Sequence, residues 1–126
     1  MFTTVGQWVE WEWTATGWKV VGIGQVGTET VANAGTANPL CLVHSVAVTN
    51  TVDFIQGDGL IAGQRSIWVA ASNSGSPVGT VSGLFYTTAM AATGTDVNFN
   101  AASDSAVLSW VGSRWYAETL VSATIS

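Results

Sequence analysis

Apolar residues in this chain recur at every second position, in short runs closed by clusters of Gly, Asn, Asp, Ser and Thr. A period of two is the signature of a strand with two unlike faces, and it cannot seat a helix of 3.6 residues per turn. The runs are Leu40–Thr49, Thr51–Ile55, Gln64–Ala71, Gly79–Thr88, Asp96–Asn100, Ala106–Val111 and Arg114–Ser122. Between them stand turn clusters at Gln56-Gly57-Asp58-Gly59, Ser72–Pro77, Ala92-Thr93-Gly94 and Ala101–Asp104. Short strands at such spacing predict an all-β fold, an antiparallel β-sandwich or small barrel. Ala89–Ala92 is the one short stretch with any helical character.

The N-terminal segment adds a second constraint. Val5 to Trp13 alternates, with Val5, Gln7, Val9, Trp11 and Trp13 on one face and Trp8, Glu10 and Glu12 on the other. Thr14-Ala15-Thr16-Gly17 reads as a turn, and Trp18 to Val26 alternates again. The result is a Trp-rich hairpin, and an isolated hairpin is marginal in water. Trp residues on both faces mean that one set must meet water, a partner or a ligand. Trp8, Trp11, Trp13 and Trp18 are therefore the candidate interface residues. The predicted organisation is a Trp-rich arm over 1–28, a connector over 29–39 and an antiparallel β-domain over 40–126. The connector TETVANAGTANP is poor in large apolar residues.

The last hairpin gives a register. Gly112-Ser113 is a Gly-first pair suited to a II′ turn. Counting back from it pairs Trp110 with Trp115, Leu108 with Ala117 and Ala106 with Thr119. The two Trp then share a face, and Ser109, Arg114, Tyr116 and Glu118 occupy the other. Arg114 and Glu118 stand too far apart on that strand to pair with each other.

Charge narrows the function classes. Lys19, Arg65 and Arg114 are the only cations, charged residues are 9% of the chain and the formal net charge is -5. Nucleic acid needs a basic footprint, and an anionic membrane surface repels such a chain. Hydrophobic residues at 48% argue against disorder. No apolar run approaches the roughly 20 residues of a membrane helix. Met1-Phe2-Thr3-Thr4 does not read as a signal peptide, so synthesis in a cytoplasm is expected.

Catalysis finds little to build on. His44 is the only histidine and Cys41 the only cysteine. No intrachain disulfide is possible, and a free Cys among Leu40, Leu42 and Val43 reads as a small core residue. His44 alternates with apolar residues and has no acidic neighbour in sequence; a catalytic base needs a poised partner. Positions 41 and 44 of one strand point to opposite faces. Asp53 and Asp58 lie among glycines without the spacing of a calcium loop. Glu10 and Glu12 share a strand face, as a polar rim rather than an acid pair. No catalytic, cofactor or metal site is expected, and the chain reads as a non-enzyme.

From about residue 30 the order of features resembles a known group. Asn38-Pro39-Leu40 leads into a short strand with Thr49-Asn50-Thr51. Gln56-Gly57-Asp58-Gly59-Leu60-Ile61-Ala62-Gly63-Gln64-Arg65 follows, close to a D-G-x-x-x-G-Q pattern, with Arg65 as the basic residue. Then come Thr95-Asp96-Val97-Asn98-Phe99-Asn100-Ala101-Ala102-Ser103-Asp104-Ser105-Ala106-Val107-Leu108-Ser109-Trp110 and Gly112-Ser113-Arg114-Trp115-Tyr116. Over roughly residues 35–122 this resembles small β-structured virion proteins and fibre modules of tailed bacteriophages, including cyanophages. The resemblance implies a homotrimeric β-protein on the virion, a capsid cement (decoration) protein whose partners are its own copies and the major capsid protein. A tail or fibre module is the alternative it leaves open. The tryptophans alone leave a third, a carbohydrate-binding module with Trp platforms. The Trp-rich start lies outside the family pattern.

Overall fold

The computed structural model describes residues 2–74, 78–87, 90 and 92–126. The described chain is built of strands, as the alternation requires. The expected turn at Ser72–Pro77 and the stretch Ala89–Ala92 fall in part outside the described residues.

One hairpin stands apart from the rest. Strands β1 (Trp8–Thr14) and β2 (Gly17–Gly24) pair only with each other. The remaining strands form two facing layers. The first holds β3 (Thr28–Thr30), β4 (Val43–Val48), β6 (Arg65–Asn73), β9 (Ser105–Trp110) and β10 (Trp115–Val121), side by side in that order. The second holds β5 (Val52–Ile55), β7 (Gly79–Tyr86), β8 (Thr93–Phe99) and β11 (Thr124–Ile125), with Thr36 bridged to Ile55 at its outer edge. The layers join where Trp115 and Tyr116 pair with Phe85 and Tyr86. The arrangement is an all-β, sandwich-like fold.

From β3 to β7 the chain alternates between the layers, with Thr36 touching the second layer between β3 and β4. β3, β4 and β6 run parallel in the first layer, and β5 and β7 run parallel in the second. Parallel neighbours need a crossover, which is most often a helix. Here a strand in the facing layer serves as the crossover, so no helix is required. After β7 the direction reverses. β8 is antiparallel to β7, β9 to β6, β10 to β9 and β11 to β8. The expectation of an antiparallel domain therefore holds for the C-terminal part, while the strands from Thr28 to Ser82 stack in parallel. Residues 29–39, expected as a connector, belong to this stack. Val31 and Ala37 are buried, and the Val31 and Ala37 N–H groups donate to the Ser45 and Ile55 carbonyls.

The core fills the space between the layers with the inward set of each alternation. Val46, Val48, Trp68, Ala70, Ala106, Leu108, Trp115 and Ala117 come from one layer. Phe54, Val81, Phe85, Val97 and Phe99 come from the other. Trp110 and Trp115 pair as expected, with ring centroids 5.3 Å apart. Leu108 pairs with Ala117, but Ala106 pairs with Leu120 rather than Thr119. A bulge at Glu118 takes up the extra residue and turns its carboxylate toward Arg65 (Oε2 to Nη2 3.0 Å).

Much of the Gln56–Arg65 and Thr95–Trp110 segments specifies this fold. Buried Gln56 accepts from Ser66 Oγ (2.6 Å) and Trp68 Nε1 (2.7 Å). The Gly57 carbonyl accepts from Trp115 Nε1 (2.9 Å). A Cβ at Gly59 would lie 2.2 Å from the Trp110 ring, so the loop can cover that indole only with glycine there. Buried Gln64 donates to the Pro39 carbonyl and accepts from Leu60 N–H. Asp104 accepts from the Asn100 and Ala101 N–H groups and closes the turn before β9.

Candidate functional site

The hairpin carries four tryptophans outside the core. Trp8, Trp11, Trp13 and Trp18 are 49%, 56%, 65% and 66% exposed, whereas Trp68 and Trp115 are buried. All four interface candidates therefore lie on the surface, and on one element.

Register sorts them into two faces. Val9 is opposite Ile23, Trp11 opposite Val20, and Trp13 opposite Trp18. Directly opposite residues share a face, so these six side chains form one surface without a charge. Trp13 and Trp18 meet edge to face, with centroids 5.3 Å apart and planes at 70°. The reverse face pairs Trp8 with Gly24, Glu10 with Gly22, and Glu12 with Lys19. Every charge of the two strands is on that reverse face. The Trp8 indole lies across the bare backbone of Gly24, where a Cβ would come within 2.1 Å of Nε1. An aromatic ring over cross-strand glycine restores the contact the missing side chain would have made.

A bulge decides this sorting. The register shifts between Glu10 and Trp11, which leaves Val21 as the extra residue of β2. Simple alternation from Trp18 would put Ile23 on the opposite face. The bulge returns it to the Trp face and leaves Gly22 and Gly24 beneath Trp8. Sequence reading grouped Val9 with Trp11 and Trp13 and separated them from Trp8, but missed Val20 and Ile23 as members of the same surface. The glycines opposite Trp8 were the available signal.

The base of the hairpin is fastened by glutamines. Gln7 Nε2 donates to the Val26 carbonyl (2.9 Å), and its Oε1 accepts from Thr3 and Thr4 N–H. Gln25 donates to the Pro39 and Arg65 carbonyls and accepts from Arg65 N–H. A cleft of about 560 Å³ separates β2 from the main body, lined by Lys19, Val20, Asp58, Leu60, Ile61 and Trp110, among others. The base is thus held while the aromatic tip projects.

The remaining candidates do not join into a site. Buried Cys41 packs under the N-terminal segment, with its sulfur 3.6 Å from Thr3 Oγ1 and 3.4 Å from Gln7 Nε2. His44 is buried elsewhere, with Nδ1 2.7 Å from Glu29 Oε1. The acidic partner absent from the local sequence comes from β3, directly opposite in the parallel register. Glu29 also accepts from the Asn38 N–H (2.7 Å), and the imidazole lies 4.9 Å from the Trp68 ring. Among the described residues no three His, Cys, Asp or Glu side chains gather as a metal-binding group. Among the described residues no helix is long and apolar enough to cross a membrane.

No family model matches this chain, and no curated protein matches it.

The His44 pair makes stability depend on pH. Burial pushes the imidazole below its ordinary pKa of 6.5, and this outweighs the hydrogen bond and charge of Glu29, which raise it. The unfolded chain then takes up a proton at a higher pH than the folded one. Stability falls as pH drops through about 6.5, and the fall ends once folded His44 is itself protonated. Urea midpoints measured from neutral to mildly acidic pH should decline, and His44→Gln should flatten that decline. An unchanged slope in the variant would remove His44 as its source.

Proposed function

We propose that this chain is a structural virion protein of a tailed phage. On this reading it is a homotrimeric capsid cement protein that stabilises the head by binding the major capsid protein at the capsid surface. It does so as a non-enzyme, without cofactor, nucleic acid or membrane. The observation that carries the reading is the charge-free Trp face standing outside the core. An exposed aromatic patch of this kind is the composition of an interface centre. The resemblance over residues 35–122 supports the virion setting, and the sandwich-like fold is compatible with it.

Two alternatives predict other results. A tail or fibre module would use the same fold within a longer assembly. A carbohydrate module would stack sugar rings on indoles lying in one plane and orient them with a few polar groups. The edge-to-face Trp13–Trp18 pair and the absence of polar side chains on that face argue against sugar.

Head particles lacking this protein, incubated with the purified chain, test the proposal. Saturable co-sedimentation and greater resistance of the heads to dissociation are expected. Absence of binding contradicts the cement role. Localisation to the tail by electron microscopy would favour the fibre reading, and saturable hits on a glycan array would favour the sugar one.

A further inference from the structure

We infer that the face formed by Val9, Trp11, Trp13, Trp18, Val20 and Ile23 is seated against a second copy of this chain. The inference rests on the reading of the hairpin as a docking element, and it names the partner of one face.

The first argument is the state of the hairpin itself. A two-stranded sheet needs a third strand or a packed layer to be stable in water. Gln7 and Gln25 secure the base. The tip keeps Trp13 and Trp18 about two-thirds exposed. A copy of the same chain supplies the missing layer wherever the chain is concentrated.

Charge on this face does not oppose the contact. The formal net charge is -5, so copies repel each other over most of their surface. The apolar face carries none of that charge, and Glu10, Glu12 and Lys19 all lie on the reverse. Two such faces meet without burying an unpaired ion.

The area suffices. The three indoles, 56%, 65% and 66% exposed, offer roughly 450 Å² on one copy at about 250 Å² per Trp. Two copies give roughly 900 Å² before Val9, Val20 and Ile23 are added, against the ~1,000 Å² that a specific interface needs. Trp13 and Trp18 stand at the tip, and Val9 and Ile23 lie toward the base.

Sedimentation equilibrium tests this on the full chain. The wild type should self-associate at micromolar concentration. Trp13→Ser/Trp18→Ser should weaken association by at least about 30-fold per indole. Trp11→Arg, which leaves the Trp13–Trp18 pair intact, should do the same by burying a charge. Glu10→Gln/Glu12→Gln on the reverse face should leave association unchanged, and circular dichroism verifies folding of each variant. A monomeric wild type, or variants that associate like the wild type, overturns the inference. A wild-type dimer supports it and corrects only the trimer. Head binding separates the two proposals. If Trp13→Ser/Trp18→Ser loses head binding while the wild type is monomeric in solution, the face belongs to the coat protein and the inference fails alone. If the variants lose self-association and no form binds heads, the inference stands and the cement role falls.

Discussion

Trp68→Ala should destabilise the fold by about 3–5 kcal/mol, the range for truncating a fully buried aromatic side chain. Trp68 is fully buried at the centre of the first layer. Its ring lies 4.9 Å from His44 and 6.2 Å from Phe54, so truncation opens a cavity between the layers. The indole N–H also donates to Gln56 Oε1, leaving Ser66 as that atom's remaining partner after the change. For a domain of this size the melting temperature should fall by roughly 10–20 °C. Trp68→Phe retains most of the apolar volume and loses the hydrogen bond, so it should cost only about 1–3 kcal/mol. Thermal and urea unfolding of both variants measure the difference. Equal losses would mean that the hydrogen bond, rather than the packing, carries the residue's contribution.

Trp115→Ala should be comparably severe, at about 3–5 kcal/mol. This side chain begins β10 at the seam between the layers, where its backbone pairs with Phe85. Its ring packs on Trp110, and its N–H holds the Gly57 carbonyl of the loop that covers both indoles. The change therefore removes core volume, a ring contact and the fastening of residues 56–64. Protease cleavage within that loop should accelerate in Trp115→Ala more than in Trp68→Ala. Equal acceleration would show that the loop is held independently of Trp115.

The tryptophans divide into a core set and a surface set, and the sequence reveals part of that division. Trp110 and Trp115 were readable as a buried cross-strand pair because a Gly-first turn fixed their register. The register was lost three residues later, because nothing in Ala117-Glu118-Thr119 announces a bulge. The strands themselves were legible from alternation, as in Val46, Val48, Trp68 and Ala70. Their parallel stacking was not. Alternation is the same whether the neighbour runs parallel or antiparallel, and the neighbours of β4 and β6 are set by long-range packing. Thr28–Thr30 was too short and polar to read as a strand, so the Glu29 partner of His44 stayed hidden. Trp8, Trp11, Trp13 and Trp18 were legible as surplus aromatics. The single apolar face that Trp11, Trp13 and Trp18 help to build depends on the extra residue Val21, which alternation cannot reveal.

Oxidative footprinting of Trp11, Trp13 and Trp18, read by mass spectrometry, tests most directly whether this face is an interface. The dilute, dissociated chain should be oxidised rapidly at all three indoles. The concentrated or particle-bound chain should protect them, while buried Trp68 stays unreactive in both states. Equal oxidation of the three indoles in the free and assembled states would contradict the assignment of the hairpin as the docking element.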